Sequence, residues 1–72
     1  MNRNKLLGIM KSYGDRQQDL AEYIGISQTR LSAKLRNRGG ADFTRPEISM
    51  IIKRYSLTGE EVVGIFFASD VH

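Results

Sequence analysis

The stretch from Gln17 to Leu35, QQDLAEYIGISQTRLSAKL, governs how the rest of the chain is read. Its first half places Leu20, Ala21 and Ile24 on one side of a short helix, which stops at Gly25. Glycine enters the left-handed region without a Cβ clash, so it ends helices readily. Ile26 follows as an apolar plug. Ser27 is a helix-capping residue and opens a second helix at once, with Leu31 and Leu35 at i, i+4 pointing inward. Ala21 is small at the point where the two helices must cross closely.

Helical spacing continues on both sides. Before this stretch, Leu6, Met10 and Tyr13 fall at i, i+4, i+7, with Leu7 and Ile9 widening the stripe, and Gly14 reads as a stop. Asp15 is expected to cap the next helix, with Gln18 three residues on in the manner of a capping box. After the stretch, Gly39 and Gly40 open a loop. Thr44 starts a fourth helix with Pro46 in its first turn and Glu47 three residues past the cap. Its inward stripe is Ile48, Ile51, Ile52 and Tyr55. Thr58 caps a fifth helix, again with a glutamate, Glu61, at the third position, and Val62, Ile65 and Phe66 are its core-facing residues. Strand alternation is absent. The expectation is an all-α bundle of five short helices, a single domain over residues 1–72, with a frayed end from Ser69 to His72.

Composition narrows the function classes. The 72 residues are 40% hydrophobic and 26% charged, values of an ordinary folded domain. Without cysteine, neither a disulfide nor a thiolate metal site can form. The longest apolar run is Ile65 to Ala68, far short of the about 20 residues that span a bilayer. No export signal is visible, so a cytoplasmic location is expected. The sole histidine is His72, at the end of the chain, and no nucleophile, histidine and acid can be combined from it. Gly39-Gly40 is only a pair, not a phosphate loop. Glu60 and Glu61 stand at a helix start, where the helix dipole accounts for them. Hence no catalytic residues, no metal, no cofactor and no small-molecule substrate are expected.

Charge is distributed unevenly. The chain carries +3 at neutral pH and its pI is near 9.6. Residues 1–40 hold eight basic and three acidic side chains, a net of +5; residues 41–72 hold three basic and five acidic, a net of −2. Arg30, Lys34, Arg36 and Arg38 follow one another with no acid between Gln28 and Arg38. A solvated helix face has the same look, but a one-sided positive field is also what a phosphate backbone selects.

Two helices joined by a glycine bend form the helix-turn-helix plan, here over about residues 16–37. In that plan the first helix crosses the DNA backbone and the second presents side chains to the major groove. In Gln17, Leu20, Ala21, Gly25, Ile26, Ser27, Gln28 and Leu31, and in its five-helix layout, the chain resembles the helix-turn-helix repressors of the lambda-repressor and Cro type. The segments LSAKLRNRGGADFTRPEI and EEVVGIFFA resemble small switch regulators, Cro-like or modulator-of-repression in type, of temperate phages of Gram-positive bacteria. The resemblance implies that Gln17 touches a phosphate. It implies too that Gln28, Thr29 and Ser32 read bases, with Ala33 beside them. Glutamine can pair bidentately with adenine, which favours Gln28 as base reader. One position departs from the family: Lys34 stands where an aliphatic residue is usual, and Leu35 follows it. At about 100° per residue, Thr29, Arg30, Ala33 and Arg36 then point outward, flanked by Ser32 and Lys34. Arg30, Arg36 and Arg38 are expected on phosphates, and Lys34 joins the expected DNA-binding set. Arg3 and Lys5 are candidates for a basic arm, while Arg45, Lys53 and Arg54 are expected in solvent.

Val63 and Phe67, four apart, point away from the core side of the fifth helix and form a candidate partner interface. The expected function is that of an operator-binding regulator, a homodimer on double-stranded DNA in a bacterial host. Its rival is an antirepressor that forms a heteromer with a co-encoded repressor. An antitoxin role is a third option.

Overall fold

The computed structural model describes residues 2–36 and 43–67. It is all-helical over those residues, with α1 (Arg3–Ser12), α2 (Gln17–Ile24), α3 (Gln28–Arg36), α4 (Arg45–Tyr55) and α5 (Gly59–Phe66) in chain order. The expected loop at Gly39-Gly40 and the tail beyond Phe67 lie outside the described residues.

Local chemistry sets the helix starts. Asn2 Oδ1 accepts the Lys5 N–H at 3.1 Å and caps α1. The Asn2 N–H donates to the Ile65 carbonyl at 2.7 Å, which ties the start of α1 to α5. Ser27 Oγ accepts the Arg30 N–H at 3.1 Å and caps α3. Thr44 and Glu47 form a reciprocal capping box at α4, with bonds of 3.3 and 2.9 Å. Thr58 and Glu61 do the same at α5, with 3.2 and 2.9 Å. Each such cap stabilises its helix by about 1 kcal/mol.

The start of α2 differs from expectation. Arg16, not Asp15, is the N-cap residue, and its backbone N–H donates to Asp19 Oδ2 at 2.8 Å. Asp15 instead reaches across the molecule. Its carboxylate accepts two bonds from Arg54, at 2.7 and 2.9 Å, and one from the Tyr55 hydroxyl at 2.8 Å. Arg54 therefore is not in solvent. Its guanidinium also lies 4.7 Å from the Tyr23 ring centroid. A bidentate guanidinium–carboxylate pair over an aromatic face outcompetes a single local cap bond, and Asp19 is left to serve the helix end.

The core is built from the expected stripes. Leu6, Leu20, Leu31, Ile51 and Ile65 are fully buried, one from each helix, and Phe43 packs edge-on against Phe66 at 5.8 Å. Ala21 is buried, and Ile48, Ile52 and Val62 pack against the core from partly exposed positions. Tyr13, expected on the inner stripe, is 56% exposed. Its ring lies edge-on to Tyr55 at 5.1 Å, and its hydroxyl donates to the Tyr55 carbonyl at 2.9 Å. The largely exposed ring lies against Tyr55, and its hydroxyl is met by a backbone carbonyl.

Candidate nucleic-acid interface

The turn between α2 and α3 is three residues long. Gly25 sits at φ +81°, and its N–H and that of Ile26 both close on the Ala21 carbonyl, at 2.9 and 3.0 Å. A side chain at this φ costs about 1 kcal/mol or more, so the bend selects glycine. Leu31 and Leu35 are the buried anchors of α3. They leave Gln28, Thr29, Arg30, Ala33 and Arg36 exposed and Ser32 half-buried. These expected residues share the outward side of one helix.

Lys34 is the exception and corrects the expected set. It is only 7% exposed. Its ammonium bonds Glu47 Oε1 at 3.1 Å and stands 5.8 Å from the Phe43 ring centroid. Its position beside Leu35 turns it toward α4, where the aliphatic stem is buried while the charge finds a carboxylate. Glu47 Oε1 also accepts the Thr44 N–H. Burial acts to raise the Glu47 pKa, but the Thr44 N–H and the Lys34 ammonium outweigh it and hold the carboxyl below its ordinary value.

Gln17 and Ser32 are brought together. The Ser32 hydroxyl donates to Gln17 Oε1 at 2.6 Å, joining the start of α2 to the middle of α3. With its oxygen so held, the Gln17 amide nitrogen keeps two donors for an outside acceptor. Ser32 thereby acts partly as a positioning group for Gln17. Arg38 lies outside the described residues.

Ion pairing sorts the basic residues. The described carboxylates of Asp15, Asp19 and Glu47 pair with Arg54, Arg16 and Lys34. The Arg54 guanidinium, opposed by burial and helped by Tyr55, lowers the Asp15 pKa. Among the described residues, Arg3, Arg30 and Arg36 have no such carboxylate. Lys5, Lys11, Arg45 and Lys53 have none either, so unpaired charge lies on α1, α3 and α4, with Arg30 and Arg36 on the outward side of α3.

A cleft of about 510 Å³ opens between these two elements. Leu7 and Leu35 contribute its apolar lining, and Arg3, Gln17, Gln28, Thr29, Ser32 and Arg36 its polar walls. Arg3, read in the sequence as part of a basic arm, joins this cleft through the packing of α1. Lys5 goes elsewhere: a Cβ at Gly64 would lie 3.0 Å from its Nζ, so its side chain crosses α5. Arg45 and Lys53 are exposed, as expected.

Val63 and Phe67 are 57% and 64% exposed on α5. No group of three potential metal ligands occurs among the described residues. None of their helices is long and apolar enough to cross a membrane. Comparisons with protein-family profiles, with curated protein sequences and with solved structures find no match.

Proposed function

We propose that the chain is a sequence-specific DNA-binding transcriptional regulator that uses α2 and α3 as a helix-turn-helix of the lambda-repressor and Cro type. The observation that carries this reading is the outward side of α3. Gln28, Thr29, Ala33 and Arg36 are exposed together there, beside a Gln17 whose amide is free to donate. Arg30 and Arg36 add unpaired positive charge, which supplies affinity and salt dependence. Base choice then falls to Gln28 and Thr29 at the start of α3, with the Ala33 methyl suited to thymine. On this reading the protein acts in the bacterial cytoplasm by occluding a promoter and performs no catalysis. A homodimer would set two α3 helices about 34 Å apart on a pseudo-palindrome.

A second reading has its own support in the exposed Val63 and Phe67. In it the chain is an antirepressor that binds a co-encoded repressor and alters its operator affinity. A gel-shift titration of the purified chain on the DNA upstream of its own gene separates the two. A shift competed away by unlabelled cognate fragment and not by scrambled DNA supports direct operator binding. A chain that leaves this DNA unshifted alone, yet abolishes the shift made by the co-encoded repressor, supports the second reading and refutes the first.

A further inference from the structure

The cleft between α1 and α3 is more than the edge of a recognition helix. Its lining brings two arginines, Arg3 and Arg36, to one concavity with Gln17, Gln28, Thr29 and Ser32. Arg3 belongs to α1 and Arg36 to α3, and neither pairs with a described carboxylate. Both side chains are exposed, so an anion entering the cleft can meet either arginine without a carboxylate competing for it. Gln17 is the first residue of α2, so the positive end of that helix lies at the same wall. Guanidiniums match tetrahedral phosphate oxygens with paired N–H donors, and amides and hydroxyls complete such a shell.

We propose that this cleft is a phosphate seat, and that Arg3 is a phosphate-binding residue on α1, outside the two helices of the DNA-binding reading. The seat deepens that reading: its occupant is a backbone phosphate of the duplex, clamped between α1 and α3. A clamp of this kind fixes how deeply α3 enters a groove, since backbone contacts set orientation while base contacts set sequence.

The test measures binding of the full chain to duplex DNA across a range of salt concentrations. Arg3→Gln is compared with Arg45→Gln, which removes an exposed charge of α4 away from the cleft. The Arg3→Gln variant should lower the slope of log affinity against log salt by about one unit, the loss of one phosphate contact, while Arg45→Gln leaves it unchanged. An unchanged slope in Arg3→Gln, or an equal fall in Arg45→Gln, overturns the seat and leaves DNA binding standing. If the wild-type chain binds no DNA, the DNA-binding reading fails, and the seat is judged by NMR titration with inorganic phosphate. Saturable shifts at Arg3, Gln17, Gln28 and Arg36, lost in Arg3→Gln, then identify free phosphate as its source. Absence of saturable shifts overturns it.

Discussion

Replacing Asp15 by alanine tests the long-range tie that holds the start of α2. The carboxylate accepts three bonds, two from Arg54 and one from the Tyr55 hydroxyl. Tyr55 is 2% exposed, so its hydroxyl would be stranded, at about 1–3 kcal/mol for an unmet buried donor. The Arg54 side chain is 27% exposed and can rehydrate, so its lost pairing adds only about 1 kcal/mol. The sum is about 3 kcal/mol. For a domain of this size each kcal/mol lowers Tm by about 4–8 °C, so a fall of about 12–24 °C is expected. Had Asp15 been only a helix cap, the cost would be about 1 kcal/mol and the fall about 4–8 °C. Thermal unfolding followed by circular dichroism distinguishes the two. The pH dependence supplies a second check. The Asp15 pKa is below its ordinary 3.8 in the folded chain. A carboxylate with a lowered folded pKa adds stability above its unfolded pKa and loses it as pH falls through the folded value. The difference between wild type and Asp15→Ala should therefore be constant between about pH 8 and 5 and shrink below about pH 4. A Tm loss within the cap range, or a difference that persists undiminished into strong acid, refutes the reasoning.

Three other substitutions address the candidate surfaces. Gln28→Ala should cost about 1–3 kcal/mol on the cognate site and relax preference at one base pair, as read by competition with single-site variants. An unaltered preference removes Gln28 as a base reader. Lys34→Met keeps the buried stem and should leave the salt slope of DNA binding unchanged, because its ammonium is spent on Glu47. A slope lower by about one unit would place Lys34 on a phosphate after all. Phe67→Ser should convert a homodimer to monomers in sedimentation equilibrium; an intact dimer rejects Phe67 as an interface residue.

What could be read in advance follows the range of the interactions. The caps at Ser27, Thr44 and Thr58 are written within four residues of sequence, and each is made as expected. The outward and inward sides of α3 follow from Leu31 and Leu35 alone. Asp15 is different, because its choice between a local N–H and Arg54 is made across 39 positions of chain. The same contact removes Arg54 from solvent. Lys34 is ambiguous on a helical wheel, being half stem and half charge; only the placement of Glu47 on α4 decides which half governs. Arg3 reads locally only as part of a basic arm, since the wall it joins is assembled from three helices. Tyr13 keeps its predicted side, but its hydroxyl holds it at the rim rather than in the core.

On the proposed function, the outward side of α3 meets a duplex. Residue-resolved NMR of the labelled chain, titrated with DNA from upstream of its own gene, tests it directly. Shifts centred on Gln17 and on Gln28, Thr29, Ala33 and Arg36 are the expected result. Shifts confined to Val63 and Phe67, or a spectrum indifferent to that DNA at low salt, would contradict it.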